Sequence, residues 1–424
     1  MAGTTVSNLF IVLTTPLLTM LYTPEEFGVL SVYLSLVYSV SVIASLEYDQ
    51  AIPIPTDRQE AFHVFLLSLL SVVCVAMITV LMGTLLPIGT WFQSPQLDEW
   101  VWLLGMSVLF LGWYQVFNSW AVREEGYASM SRSKVNMNTG QMVSQIGLGF
   151  IGVGYIGLLV GEVIGRVMGC FTFWRRLFGK GIRTQFSMSL SGMWKVMIRF
   201  RKFPLMVTWP SLMNSLSGQI PTFFLAAVFG VEVAGVYLIA QKLLNIPEGL
   251  IAFSVSQVYL SELAIHMKEY PLSIPTLFFK TLQKMILLGG AITFLIVIFG
   301  PAIISLLFDE AWGEAGGFLR VLAILTFFRM AIKPILGNFY VLEEQTLLIV
   351  GEVVHTFCIA VSLVVAYTIM KEPLNALLCM SLLASLGIVL QGCCSYLAMK
   401  RWLKRNRSLE GGVIYDQSHS FVES

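Results

Sequence analysis

The sequence predicts an all-α, polytopic membrane protein of about twelve transmembrane helices, grouped as two six-helix lobes around a central cavity. Three observations carry that expectation. Of 424 residues, 56% are hydrophobic and 12% charged, about half the ~25% charge of an ordinary soluble domain, and the mean hydropathy is +0.78. Apolar runs of about 20 residues, long enough to cross a bilayer as helix, recur along the chain. Lysines and arginines collect in alternate loops between those runs. Segments apolar on every face need lipid as their solvent, which excludes a soluble enzyme, a nucleic-acid binder and a secreted disulfide scaffold. A β-barrel is excluded because it would be written in ~10-residue alternating strands.

The first span, 4–22, has no basic leading region or cleavage site and reads as a retained helix, not a signal peptide. The second, 27–47, closes on Glu47 and Asp49 ahead of Pro53 and Pro55, which fits a cytoplasmic interface or the rim of a vestibule. Spans three and four, 62–87 and 100–121, are apolar. Spans five and six, 137–154 and 156–174, make the tightest hairpin. The sixth carries Gly157, Gly161, Gly165 and Gly169, a small-residue stripe that lets another helix approach closely. Beside the stripe, Glu162 and Arg166 stand at i,i+4, where they can neutralise each other; the pair either ties helices together or lines a cavity. A basic segment follows and divides the chain nearly in half. Spans seven to twelve are then 205–229, 233–263, 276–307, 315–341, 346–370 and 374–399.

Orientation follows from the basic residues. With both termini cytoplasmic, eighteen of the 26 lysines and arginines fall on the cytoplasmic side. They are Arg58; Arg123, Arg132 and Lys134; Arg175, Arg176, Lys180, Arg183, Lys195, Arg199, Arg201 and Lys202; Lys268; and Lys400, Arg401, Lys404, Arg405 and Arg407. The opposite side holds only Lys371, and the rest lie within or at the ends of spans. The expected organisation is therefore an N-terminal lobe at 1–175, a basic linker at 176–204, a C-terminal lobe at 205–400 and a polar tail without fixed structure at 401–424. A short internal repeat supports two lobes: Thr23-Pro24-Glu25-Glu26-Phe27-Gly28-Val29 matches Gly230-Val231-Glu232-Val233-Ala234-Gly235-Val236, offset by 207 residues. Repeats with an even helix number run parallel, a geometry that suits a transporter with a site between lobes.

Ionisable residues inside a membrane are expensive, so the few present are the functional candidates. Lys242 in the eighth span lies roughly two turns inside the bilayer and precedes Pro247, Glu248 and Gly249. A kinked helix with a buried cation suits an anion, though Lys242 also has the reach to snorkel to the outer headgroups. Arg329 and Lys333 in the tenth span share one face and precede Pro334 and Gly337; like charges at that spacing repel unless an anion sits beside them. Either Glu352 and His355, i,i+3 in the eleventh span, supply that partner, or the charges form a purely structural network or meet the inner headgroups. Arg320 lies nearer the outer end of the tenth span. The cysteines Cys74, Cys170, Cys358, Cys379, Cys393 and Cys394 all sit in apolar runs and read as filler. With four histidines and no HExxH or Cys/His cluster, no metal site and no cofactor are expected.

Leu18-Thr19-Met20-Leu21-Tyr22-Thr23-Pro24-Glu25-Glu26-Phe27-Gly28 resembles the "LTRLYTPEDFG" signature of bacterial polysaccharide-biosynthesis flippases. These are the Wzx-type O-antigen exporters of the MATE-like multidrug, oligosaccharidyl-lipid and polysaccharide flippase superfamily. Ala44 to Pro55 is similar to that family's "ATLRYELAIVLP", and Phe203-Pro204-Leu205 with Val231 to Tyr237 to its "FPL…GPEVAGLY". Ala240 to Pro247 resembles the "ADRLxxLP" segment of lipid II flippases, whose basic residue Lys242 matches. Met20 and Glu47 stand where the family has arginine, so no cationic role carries over there.

The resemblance implies a MATE-like fold in the bacterial inner membrane. It implies a non-enzymatic flippase that moves a polyprenyl-diphosphate-linked oligosaccharide, an O-antigen or capsule repeat unit, to the periplasmic leaflet by alternating access. The implied partners are that substrate, membrane lipids, and a polysaccharide polymerase with its chain-length regulator; nucleic acid is not among them. Lys242, Arg329, Lys333 and Arg166 are the candidates for diphosphate and sugar binding. Glu162, Glu352, His355 and Asp49 are those for H+ or Na+ coupling or charge pairing. The alternatives are a cation-coupled drug exporter of the same fold and a non-transporting scaffold for glycan assembly. A polymerase would call for a longer outer loop than 88–99.

Overall fold

The computed structural model describes residues 14–179 and 189–420. The start of the first expected span (4–13), the middle of the basic linker (180–188, with Lys180 and Arg183) and residues 421–424 lie outside them. All the regular elements among the described residues are helical. We label the principal helices α1 (14–21), α2 (Pro24–Ser41), α3 (Arg58–Leu85), α4 (Val101–Arg123), α5 (Tyr127–Ile151), α6 (Tyr155–Gly179) and α7 (Leu190–Arg199). The second half continues as α8 (Thr208–Phe229), α9 (Val231–Glu269), α10 (Ile274–Leu307), α11 (Glu314–Val341), α12 (Gln345–Ile369) and α13 (Pro373–Ser420).

Nine helices among the described residues are long and apolar enough to cross a membrane. Two fully described spans, α2 and α5, are missing from that count: α2 is an 18-residue helix that opens on Pro24, Glu25 and Glu26 and ends at Ser41, and α5 carries polar side chains that bond to α6. Ser31, Ser35, Ser39 and Ser41 of α2 are buried, as are Ser129, Ser133, Asn138 and Gln145 of α5. Ser133 donates to the Gly169 carbonyl of α6 at 2.6 Å, and the Gln145 amide donates to the Leu158 carbonyl at 3.0 Å. Hydroxyls and amides bonded to a neighbouring helix cost little in a dry interior, so α5 packs against α6 despite its polar composition.

The chain forms two compact units. One comprises residues 1–239 with 304–315, the other 240–303 with 316–424. In the first, α2 starts on a reciprocal cap. The Glu26 amide donates to the Thr23 hydroxyl at 3.3 Å and the Thr23 amide donates to the Glu26 carboxylate at 2.8 Å, satisfying two N–H groups that a helix start leaves free.

Four residues into α2, Gly28 meets the start of α9. A Cβ on Gly28 would overlap the Val231 carbonyl, and one on Gly235 would overlap the Pro24 carbonyl. These four residues are the corresponding positions of the internal repeat: Pro24 matches Val231 and Gly28 matches Gly235. The two copies therefore dock on each other reciprocally, glycine of one against the helix start of the other. The same end of the unit is closed by Trp312, 1% exposed, whose indole donates to the Thr19 carbonyl at 3.1 Å and meets Phe27 edge-on at 5.2 Å.

The glycine stripe of α6 is occupied by helix contact. A Cβ on Gly165 would stand 2.7 Å from the Met137 carbonyl of α5, and one on Gly157 2.6 Å from the Tyr22 hydroxyl. At the opposite end, Arg58 on α3 grips Glu124 beyond α4 through Nη2 at 2.8 and 2.6 Å. The linker contains one element the sequence reading did not foresee, the short helix α7. Val196 is its buried side, while Leu190, Trp194 and Ile198 form an exposed apolar face between Lys195 and Arg199. That amphipathic pattern suits a helix lying in the membrane surface.

In the second unit α12 and α13 pair as a hairpin, with Gly387 against His355 and Gly351 against Gln391. Met285 of α10, Ala252 of α9 and Met330 of α11 form a buried apolar cluster. Tyr259 of α9 donates to Asn338 of α11 at 2.6 Å, fixing those two helices side by side.

Candidate functional site

The site is built where two helices of the second unit leave the α conformation. In α9 the regular helix runs to Pro247, which has no N–H to continue the ladder. The next turn, Glu248–Ala252, widens into a π-helix before Phe253 resumes the α form. In α11 the regular helix runs to Ile332, and Lys333–Gly337, with Pro334 second, tightens into a 3-10 turn. One turn is wide and the other narrow, and each begins with a charged residue.

Those two residues face each other. The Lys333 ammonium contacts Glu248 Oε1, and Arg329 Nη1 lies 4.0 Å from Glu248 Oε2. The carboxylate is the buried member, with 9% of its side chain exposed; the cations retain 53% and 29%. A cavity of about 450 Å³ opens beside them, lined by Asn245, Glu248, Gly249, Ala252, Phe253, Ser256 and Lys333. Asparagine, serine and lysine give it donors, and phenylalanine an apolar wall.

The sequence reading expected Glu352 and His355 to balance Arg329 and Lys333. The structure corrects that: the carboxylate between them is Glu248 of α9. Glu352 hydrogen-bonds Gln391 of α13 instead. His355, half-buried against Gly387, keeps within electrostatic reach of both cations, and its Nε2 has no hydrogen-bond partner among the described residues. The reason is the π-turn, which redirects Glu248 relative to a straight helix. No sequence pattern announces such a turn beyond Pro247 itself.

Lys242 is half-buried on α9, six residues before Glu248 and so roughly 9 Å along the axis. It is not among the residues lining the cavity. Arg166 lies in the other unit, 3% exposed, with Nη2 3.2 Å from Glu162 Oε2. The Gln141 amide donates to the other oxygen of Glu162 and Tyr38 of α2 hydrogen-bonds Arg166, so this pair is self-neutralised and buried among α2, α5 and α6. Asp49 accepts from Ser45 one turn earlier.

Besides Glu248, a second buried carboxylate did not figure among the sequence candidates. Glu47 is 3% exposed, accepts from Gln50 and bonds Ser211 of α8. It and Leu46 sit at φ 60° and 52°, left-handed conformations that cost a non-glycine residue roughly 1–2 kcal/mol each. The sharp turn packs Glu47 against α8. Among the described residues no group of three acidic, histidine or cysteine side chains is placed to hold a metal ion.

Residues 17–317 match the profile of a family described as polysaccharide biosynthesis protein. Among solved structures, the chain is similar to an inward-facing multidrug resistance MATE family transporter of the MOP superfamily. The identity there is 15%, over 94% of this chain and 99% of that one, with a TM-score of 0.73. It is also similar to the lipid II flippase MurJ in an inward closed conformation, at 11% identity over 92% and 86% of the two chains and a TM-score of 0.68. An outward-facing multidrug resistance MATE transporter matches at 16% identity over 95% and 93%, with a TM-score of 0.63. These identities establish a shared fold, that of polytopic membrane transporters. No curated protein matches in sequence.

Proposed function

The chain belongs to the polysaccharide biosynthesis protein family, and from that premise we propose that it flips a polyprenyl-diphosphate-linked oligosaccharide, an O-antigen or capsule repeat unit, across the bacterial inner membrane by alternating access. The observation that carries the reading is the Arg329–Lys333–Glu248 triad at a polar cavity within membrane helices. Two cations against one carboxylate leave a net charge of +1, which favours an anionic ligand. Phosphate oxygens accept charge-assisted hydrogen bonds from guanidinium and ammonium groups, and such bonds strengthen where water is scarce.

In this mechanism Glu248 serves as the resident anion. While the cavity is empty it neutralises Lys333 and holds Arg329 nearby, so the carrier reorients without a bare charge pair in the bilayer. An arriving diphosphate displaces the carboxylate and takes both cations, with Lys242 as a third contact farther along α9. The sugars are solvated by Asn245 and Ser256. On the opposite face of α11 lies an apolar cavity of about 350 Å³, walled by Phe278, Leu282, Phe327, Phe328 and Ile335, whose chemistry suits an isoprenoid chain. No covalent bond is made or broken, and both termini are cytoplasmic, a reading supported by the sorting of basic residues. Coupling to H+ or Na+ would run through Glu162, Glu352, His355 or Asp49, and a polymerase with its chain-length regulator would take the product.

A drug exporter of the same fold is the second reading, favoured by the likeness to multidrug transporters; the net positive triad beside the cavity argues against cationic drugs as its cargo. The test is complementation. In cells lacking the native gene, Lys333→Gln and Lys242→Ala, produced at normal levels, should each reduce surface polysaccharide and accumulate lipid-linked oligosaccharide. Full restoration by both variants would contradict the assignment.

A further inference from the structure

We propose a second anion site, for the phosphodiester head of an anionic phospholipid, at the basic end of the α5–α6 hairpin. A cavity of about 660 Å³ opens there. Ser129, Arg132 and Asn136 line it from α5, and Phe171, Thr172, Arg175 and Arg176 from α6. The helices are locked beneath it. Ser133 donates to the Gly169 carbonyl, and Asn136 Nδ2 donates to Thr172 Oγ1 at 3.0 Å, giving the cavity a polar floor. Arg176 Nη1 donates to the buried Ser129 hydroxyl, which holds that guanidinium across the opening.

Three guanidiniums thus converge with no carboxylate among the described lining residues. None of the three forms an ion pair among the described residues, unlike Arg58, Arg166, Arg199, Arg329 and Arg405. Glu124 and Glu125 stand just before α5, where Glu124 is taken by Arg58. From Tyr127 to Val231 the single acidic residue is Glu162, and it is paired with Arg166 inside the hairpin. Converging like charges without an internal counter-ion call for an external anion, and a planar guanidinium fork matches phosphate oxygens.

The flank of the cavity selects a lipid over a free ion. Phe171 is 61% exposed and Trp174, three residues on, 49% exposed, and aromatic rings at such a position pack along acyl chains at the membrane interface. The site involves neither the triad nor the transport reading; it requires only that the basic ends of α5 and α6 lie at the membrane surface.

The experiment compares lipid retention by the purified full-length chain in detergent, read by native mass spectrometry with phosphatidylglycerol and phosphatidylcholine. The wild type should prefer phosphatidylglycerol by about tenfold, because the choline cation of phosphatidylcholine would be brought up against the same three guanidiniums. Arg132→Gln with Arg175→Gln, both exposed positions, should bring the preference close to parity, while Lys195→Gln with Lys202→Gln should leave it unchanged. Millimolar inorganic phosphate should not displace the lipid. Retained preference in the arginine variant, equal loss in the lysine variant, or displacement by phosphate would each overturn the assignment, the last by giving the seat to a free anion.

Discussion

Replacing Glu248 with glutamine keeps the shape of the triad and removes its negative charge. In the wild type the carboxylate contacts the Lys333 ammonium and lies 4.0 Å from Arg329. At that separation a charge pair is worth about 4 kcal/mol with an effective dielectric constant of 20. The cations are 53% and 29% exposed, so screening reduces the usable part to about 1–2 kcal/mol. Two consequences follow from that figure. Stability in detergent should fall by about that amount, because two cations are left facing each other. Affinity for a diphosphate should rise roughly tenfold, since the ligand no longer has to displace a resident anion. The assay is calorimetric titration of the purified full-length chain with inorganic pyrophosphate, comparing wild type, Glu248→Gln and Lys333→Gln. Lys333→Gln should weaken binding and Glu248→Gln should tighten it. Unchanged or weaker binding in Glu248→Gln would refute the idea that the carboxylate occupies the phosphate seat.

Other consequences are as direct. Gly28→Ala and Gly235→Ala each force a methyl group into a backbone carbonyl of the other repeat, so each should lower thermal stability by about 1–3 kcal/mol. The double variant should cost less than the sum because both act on one contact; strict additivity in a melting experiment would contradict the reciprocal docking. Glu162→Gln should destabilise by about 3–5 kcal/mol by stranding a buried Arg166, while Glu162→Met with Arg166→Met should recover most of that loss. The same double variant decides the role of the pair, since retained transport makes it structural and lost transport returns Arg166 to the binding residues. Leu46→Gly should relieve left-handed strain of about 1 kcal/mol at the buried Glu47 turn, readable as a stability change smaller than any of these.

Much of the fold could be read from the sequence because lipid imposes it. Long apolar runs and the sorting of basic residues depend on bilayer thickness and charge translocation, which act on composition and not on packing detail. The repeat around Gly28 and Gly235 was likewise visible, though only the structure shows that its copies touch. Packing-dependent features were hidden. The bonds from Ser133 and Gln145 of α5 to α6, and the end of α2 at Ser41, short of the expected span 27–47, depend on that packing. α7 looked like basic linker, since its apolar face is only three side chains wide. Arg329 and Lys333 stood out as repelling cations in need of an anion, but the wide turn after Pro247 decides which carboxylate reaches them. Glu47 was hidden for a similar reason: a left-handed pair, Leu46 and Glu47, folds an apparently terminal charge back into the core.

The proposed function is movement of an anionic, lipid-linked saccharide through a site held by Lys333 and Arg329. The most direct measurement reconstitutes the full-length chain in vesicles with a fluorescent prenyl-diphosphate oligosaccharide and follows its loss from one leaflet by a membrane-impermeant quencher. The wild type should move the label across, and Lys333→Gln with Arg329→Gln should reduce the rate to that of protein-free vesicles. Wild-type rates in that double variant, or no movement by the wild type, would contradict the account.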